Sequence, residues 1–476
     1  MHRLLDYSRL FAASEAEMLS AFEAQLEQKL GQLDRHPQSP LVLLAERDAI
    51  AFLAGFLATQ LRGVPLVLGN PQWRHREWQQ VQGLLTCNLV WGQVRLNMSS
   101  KTSNAQTSNT KTHPPAGTIM IPTGGTSGRI RFAVHTWERL TASALGFRDH
   151  IQGQQTGQQI NCYCTLPLFH VSGLMQVVRS LVTRGQLVFG SYKALQAGVL
   201  PAFEPEQFWI SLVPTQLQRL LQNPRLIPWL QRFEGILLGG GPAWPGLLEM
   251  GRSQGLPLAL TYGMTETASQ VATLQPREFL AGNNSSGRVL PHSEIIIADA
   301  SGCPVKPGEI GQLTIRGQSL MRGYYGEFEW DEPSLGELVT DDYGYFDEAG
   351  YLHILGRGSQ MIISGGEKVF PSEVEAVLRE SPGIEDVCVF GMADEDWGEV
   401  VVALYVPAGT ELSEEIIMEG RSRLAHQLAS YKHPKHWLAT ERIPRNSRGK
   451  LEQVQVQRLV SALRASKESA KYGDDE

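Results

Sequence analysis

Short apolar runs alternate with helical stretches over most of this chain, and that alternation restricts the fold more than any other feature. Residues 41–45 read as a strand, about 48–61 as a helix and 64–68 as a second strand. That order is a βαβ unit, in which a helix crosses from one parallel strand to the next. An amphipathic helix opens the chain: Ser14 and Glu17 have capping-box spacing, and Leu19, Phe22, Leu26 and Leu30 share one face. Residues 97–115 are Ser, Thr, Asn, Lys and Pro with little to bury, which predicts a surface loop or flexible linker. Strands and helices then alternate again to about residue 285.

The pattern changes twice more. Residues 295–323 become short strands with Gly and Pro turns. Beyond Gly358 a helix around Glu373, Val374 and Val377, strands at 387–390 and 400–406, and a helix near 414–428 read as a separate unit. The tail from Ser466 is charged and reads as frayed. At 476 residues the chain exceeds one compact core. The predicted fold is α/β: a large N-terminal domain over 1–358, of βαβ layers plus a small β-rich subdomain, and a small C-terminal α+β domain over 359–476.

Composition excludes several classes. Hydrophobic residues at 42% and charged residues at 19% are ordinary for a globular protein. A net charge of −7 argues against a basic footprint for nucleic acid. Apolar runs such as 49–58 fall well short of the roughly 20 residues that span a bilayer, so no transmembrane segment is predicted. The N-terminus lacks an apolar signal-peptide core. The five cysteines, Cys87, Cys162, Cys164, Cys303 and Cys388, are odd in number and scattered. They read as buried free thiols, which suits a reducing cytoplasm.

The chemistry concentrates in a few segments. An apolar run from Ile119 ends in Thr123-Gly124-Gly125-Thr126-Ser127-Gly128, followed by Arg129 and Arg131. Glycines let backbone N–H groups approach an anion, hydroxyls add donors, and arginine matches phosphate oxygens. No Gly-Lys-Ser/Thr follows at the spacing of a Walker loop. Alone, the segment fits a hairpin turn equally well. Further on come Gly239-Gly240-Gly241-Pro242, then Tyr262-Gly263-Met264-Thr265-Glu266-Thr267, Asp341-Asp342-Tyr343-Gly344, Gly356-Arg357, and Arg445-Asn446-Ser447-Arg448-Gly449-Lys450. Read singly, Asp342 could cap a turn, Arg357 could be a surface ion pair, and Lys450 could lie in a solvated loop.

In this order and at these separations, from about Ala116 to Leu451, the segments resemble the acyl-adenylate-forming superfamily of acyl-CoA synthetases, adenylation domains and beetle luciferases. The resemblance implies that residues 123–131 hold the β- and γ-phosphates of ATP, with Arg131 in the catalytic set. It implies that Gly240, Gly241 and Tyr262 flank the adenine, that Thr265 meets the α-phosphate, and that Glu266 holds Mg2+. Asp342 would accept from the ribose hydroxyls with Arg357 nearby, and Lys450 would enter the site during adenylation. The small domain would then rotate about Gly358–Ser359, and residues 364–369 would line a tunnel for CoA.

The chain departs from the common pattern in three places. Ile130 and Arg131 stand where Pro-Lys is usual, Ser359 stands where the hinge is usually Asp or Lys, and only 122 residues precede the loop.

The short N-terminal part, the Thr-Gly-Gly-Thr-Ser-Gly loop and residues 211–216 resemble o-succinylbenzoate–CoA ligases, which act in menaquinone and phylloquinone synthesis. The implied partners are a small carboxylic acid, ATP and CoA. His170, in Pro167-Leu-Phe-His-Val-Ser-Gly173, would gate the acyl pocket, and Gly263 would lie against the acid. The second carboxylate of such an acid must meet a cation or several donors once buried. Thr215 reads as the N-cap of a helix over 216–221, which makes Arg219 the candidate cation, with His170 second. Ligation of another aryl or medium-chain acid, loading of a carrier protein, and a non-catalytic adenylate-binding relative remain alternatives. The absence of a carrier domain after Lys450 counts against the second. Intact Lys450, Glu266 and Asp342 count against the third.

Overall fold

The βαβ unit forms where the pattern puts it. In the computed structural model, strands Val42–Ala45 and Leu66–Leu68 pair in parallel across the helix Ala49–Arg62. The Asp48 carboxylate accepts from the Ala51 amide at 2.8 Å, which satisfies one free donor of the first turn. Gly63, with φ 63°, ends the helix in the left-handed conformation that favours glycine. Phe52, Phe56 and their neighbours are buried, each large side chain contributing about 1.5–3 kcal/mol. Gly55 lets this helix lie close on its sheet: a Cβ there would stand 2.7 Å from the Leu44 side chain.

The structure describes the chain apart from residues 1–6, 12–15, 37, 93, 95–112, 125–128, 153–156, 158, 331–335, 395, 410–413, 446–450, 453–454, 457 and 464–476. The expected capping residue Ser14, most of the polar stretch 97–115 and the tail from 466 lie outside the described residues.

Two sheets carry the large N-terminal part. The first orders its strands Leu89–Gly92, Val42–Ala45, Leu66–Leu68, Thr118–Gly124 and Ile130–Thr136, parallel except for the last pair. The second runs Arg288–Val289, Ser269–Thr273, Leu258–Met264, Gly235–Leu238, Phe208–Leu212, Asn161–Cys164 and Leu187–Phe189, antiparallel at its first two pairings and parallel beyond. One apolar cluster joins the helices Ala16–Asp34, Ala49–Arg62, Trp137–Gln152 and Val171–Thr183 to both sheets. Phe22 and Leu26 of the opening helix are buried in it, and Leu19 and Leu30 pack partly against it.

The β-rich part is a four-stranded antiparallel sheet of Ser293–Ala298, Gly311–Gly317, Leu338–Phe346 and Leu352–Arg357. A C-terminal domain follows, with strands Glu367–Val369, Ile362–Ser364, Gly398–Pro407 and Ile384–Asp394 in that order and His436–Ala439 parallel to Gly398–Pro407. Helices Pro371–Leu378 and Glu414–Gln427 belong to it. Among the described residues, its two apolar clusters draw on Ile362 onward, and no cluster mixes residues from both sides of Gly358.

Two sequence expectations need correction. The helix read as 216–221 begins at Pro214, and Val213 rather than Thr215 occupies the N-cap. Proline fits the first helical turn because its missing N–H would be unpaired there anyway, and the Gln216 side chain accepts from the Val213 amide at 3.1 Å. Of the five free thiols, Cys162, Cys164 and Cys388 are buried, but Cys87 is half-buried and Cys303 is exposed. Among the described residues no helix is long and apolar enough to cross a membrane.

Candidate active site

A cleft of about 2690 Å³ is lined by Thr123, Glu266, Asp342 and Arg357 of the large part and by Arg445 and Leu451 of the C-terminal domain. A pocket for one small molecule usually holds roughly 300–1,000 Å³, so this cleft has room for several ligands at once.

Asp342 stands on the strand Leu338–Phe346, directly across the ladder from Arg357. Its carboxylate is buried, accepts from the Tyr262 hydroxyl at 2.7 Å and lies 3.5 Å from the Arg357 guanidinium. Burial pushes the Tyr262 phenol well up, and the Asp342 charge adds to the shift. Gly240, with φ 79°, turns the chain out of the strand Gly235–Leu238, and a Cβ on Gly241 would meet only open space. Both glycines line the same cleft.

Glu266 sits in a 3-10 turn, Thr265–Thr267, at the end of the strand Leu258–Met264. Gly263 is needed one step earlier, where the ladder shifts register: a Cβ would lie 2.1 Å from the Ser269 carbonyl. The chain then passes through Ala268 and Ser269 with φ 52° and 103°. For residues other than glycine such conformations cost about 1–3 kcal/mol each and collect at functional sites. The buried His135 donates from Nε2 to the Thr265 carbonyl at 2.8 Å, and burial drives its pKa down to about 4, so the ring is neutral.

Thr123 and Gly124 end the strand that pairs with Ile130–Thr136, Thr123 opposite Arg131. The Gln80 side chain accepts from the Ile130 amide at 3.0 Å. The Arg131 guanidinium makes a two-pronged pair with Glu327, at 3.0 and 2.6 Å, and lies 3.3 Å from the centre of the Tyr324 ring. The Tyr324 hydroxyl donates to Glu266 at 2.5 Å. Gly125, Thr126, Ser127, Gly128 and Lys450 lie outside the described residues.

His170 holds the N-cap position of the helix Val171–Thr183, its ring 4.4 Å from Phe169, and lines the cleft. Arg219 also lines it but is exposed, and its charge and hydrogen bonding act on the Tyr192 hydroxyl. The cleft wall contains a second arginine. Arg179, on the helix Val171–Thr183, is 2% exposed and donates from Nη2 to Gln270 at 2.5 Å and Ser269 at 3.1 Å. Its face lies 4.9 Å from the Phe147 ring, and Nε and Nη1 have no hydrogen-bond partner among the described residues. Burial lowers its pKa to about 10, which leaves it a cation at neutral pH. A buried charge with spare donors is costly unless something meets it.

The model of the AMP-binding enzyme family matches residues 30–325, and that of the AMP-binding enzyme C-terminal domain matches residues 373–450. This chain belongs to the AMP-binding enzyme family. The 2-succinylbenzoate–CoA ligase of Bacillus licheniformis is 38% identical to this AMP-binding enzyme over 71% of this chain and 68% of its own. That of Listeria monocytogenes is 31% identical over 92% of both. The o-succinylbenzoate CoA synthetase of Bacillus subtilis, solved with the acyl-adenylate intermediate OSB-AMP, superposes with TM-score 0.74 at 27% identity, covering 93% of this chain and 92% of that one. The same synthetase with ATP and magnesium gives TM-score 0.71 at 28% identity over 93% and 94%.

Sequence reasoning did not single out Arg179 or Tyr324, both of which line the cleft. A signal existed for Arg179, a lone charge in the otherwise uncharged stretch Val171–Thr183. Nothing in the spacing flags Tyr324, which lies 58 residues from the carboxylate it touches.

Proposed function

We propose that this AMP-binding enzyme joins 2-succinylbenzoate to CoA through an acyl-adenylate, cleaving ATP to AMP and pyrophosphate. The observation that carries the acid's identity is the buried Arg179 fork in the wall of a cleft that also contains Glu266 and Asp342. A mono-acid would leave Nε and Nη1 of that fork unpaired, whereas the aryl carboxylate of a dicarboxylate would meet them. Arg219 is less suited, because an exposed cation already has water.

In the first step an oxygen of the aliphatic carboxylate attacks the α-phosphorus, and the bond to the bridging oxygen breaks to release pyrophosphate. In the second the CoA thiolate attacks the acyl carbonyl and AMP leaves. Asp342, already holding the Tyr262 hydroxyl, accepts from the ribose hydroxyls, with Arg357 beside it. Gly240 and Gly241 leave space for the adenine, Thr265 meets the α-phosphate, and residues 123–128 cradle the outer phosphates. His170 and Gly263 border the acid. Among the described residues no three His, Cys, Asp or Glu side chains form a metal cage. A single carboxylate, Glu266, beside the phosphate path fits Mg2+, which is commonly held by one or two carboxylates together with substrate phosphates. When bound, Mg2+ neutralises phosphate charge.

Lys450 supplies the cation for charge growing on the attacked phosphorus, and its flanks Arg445 and Leu451 pair as an isolated bridge at the cleft. The domain boundary at Gly358–Ser359 is supported by apolar clusters that stop on either side of it. Rotation there would bring the turn Gly365-Gly366, with φ 59° and 87°, to the CoA path. This reading makes the protein a cytoplasmic enzyme of menaquinone or phylloquinone synthesis.

A panel of acids assayed for CoA-dependent AMP release tests it. 2-Succinylbenzoate should turn over well and its analogue without the aryl carboxylate poorly. No turnover of 2-succinylbenzoate would overturn the substrate assignment.

A further inference from the structure

The group standing where a phosphate-binding lysine is usual is held away from that task by two of its three nitrogens and by its flat face. Arg131 uses Nε and Nη2 on Glu327 and its flat face on the Tyr324 ring. The Tyr324 hydroxyl in turn donates to Oε1 of Glu266. Backbone pairing fixes this arrangement: Ala133 bridges Tyr324, the Tyr325 amide donates to the Phe132 carbonyl at 2.9 Å, and the Met321 amide donates to the Glu266 carbonyl at 2.7 Å. Both the main chain and the side chain of Glu266 are therefore held by residues 321–324, and that segment is held by the strand carrying Arg131.

We propose that Arg131 is a positioning residue for Glu266: clamped by Glu327, it fixes the Tyr324 ring, whose hydroxyl occupies Oε1 and leaves Oε2 for the divalent cation. A carboxylate offers several lone-pair directions, so one oxygen can accept from a phenol while the other faces a metal. Fixing the carboxylate beforehand removes a rotamer cost from cation binding, and partners of this kind are typically worth about 10–100-fold in metal affinity. The arrangement also accounts for arginine in place of lysine. A planar guanidinium binds a carboxylate through its edge and stacks on a ring through its face at once, and an ammonium cannot do both. The inference rests on the ATP and Mg2+ part of the proposed function and is independent of which acid is activated.

The test measures Mn2+ bound to the full-length protein with ATP and no acid, read from loss of the free Mn2+ electron paramagnetic resonance signal beyond the loss that the same ATP causes without protein. Arg131→Lys and Tyr324→Phe should each weaken Mn2+ binding about 10–100-fold. The double variant should be little worse than either single one, because both break one chain of contacts. Binding of metal-free ATP should not change. Wild-type Mn2+ affinity in Arg131→Lys together with weakened metal-free ATP binding would overturn the proposal and make Arg131 a phosphate ligand. Fully additive losses would also overturn it. If the wild type binds no Mn2+ with ATP, the proposed function itself fails, which is a different result.

Discussion

At the scale of single residues, the contrast between Arg179 and Arg219 decides how a second carboxylate would be met. Arg179→Met removes a buried charge but keeps most of the volume, and Gln270 Oε1 keeps the Ser269 hydroxyl as a donor. Its stability should therefore move little, while KM for 2-succinylbenzoate rises by about ten- to 150-fold, the value of a charged hydrogen bond of roughly 1.5–3 kcal/mol. KM for ATP should stay as it is. Arg219→Ala, at an exposed position, should change neither; the opposite pattern in steady-state kinetics would make Arg219 the anchor. His135 gives a prediction of a different kind. Its pKa falls from 6.5 to about 4, chiefly through burial, with the Arg139 charge adding to the effect. The unfolded chain thus binds a proton that the folded one refuses, so stability is full above pH 6.5 and is lost as pH falls toward 4. Between pH 7 and 5 the loss should be about 2 kcal/mol. His135→Gln keeps a donor for the Thr265 carbonyl without the titration, so its melting temperature should fall less over that range. Equal falls in both proteins would show that His135 titrates normally.

At the scale of elements, period and punctuation made much of the molecule legible. The βαβ unit, the helix Pro371–Leu378 and the strand Gly398–Pro407 lie where apolar spacing puts them, because each buries one continuous face. The start of the helix Pro214–Leu221 was misread because Thr215 is a favoured cap residue, while Pro214 one step earlier already supplies the helical φ. Contacts between elements distant in sequence were legible only where the family resemblance grouped the residues, as with Asp342 and Arg357. Asp341 makes one that was not: its carboxylate accepts from the Ser359 amide at 3.0 Å and from the Ser359 hydroxyl, bridging the strand Leu338–Phe346 to the proposed hinge. A Cβ on the intervening Gly358 would crowd Tyr343 at 2.8 Å, so the segment lies tight on that strand. Both partners are exposed, and solvent competition reduces the clasp to about 1 kcal/mol, or about fivefold in an opening equilibrium. Asp341→Ala should raise the rate of trypsin cleavage at Arg357–Gly358 by that factor, and Asp341→Asn by less. Unchanged cleavage in Asp341→Ala would show that the clasp does not restrain the hinge.

At the scale of the whole molecule, the proposed function has one cleft serve two reactions that need different groups. The large part brings Glu266, Asp342 and Arg179 to its wall, and the C-terminal domain contributes Arg445 and Leu451 on either side of the Lys450 segment. A lysine placed for the attack on phosphorus stabilises negative charge that exists only there, and the later attack of sulfur on the acyl carbonyl has no use for it at that position. Lys450→Ala should therefore slow acyl-adenylate formation by about a hundredfold or more, the usual cost of losing one charge-stabilising group. Thioester formation from supplied acyl-adenylate should stay close to the wild-type rate, because the C-terminal domain would present residues 364–369 instead. Rapid-quench measurement of pyrophosphate release and of thioester formation, each in isolation, separates the two. Equal loss in both would mean that Lys450 holds the domain together rather than acting in the first reaction alone.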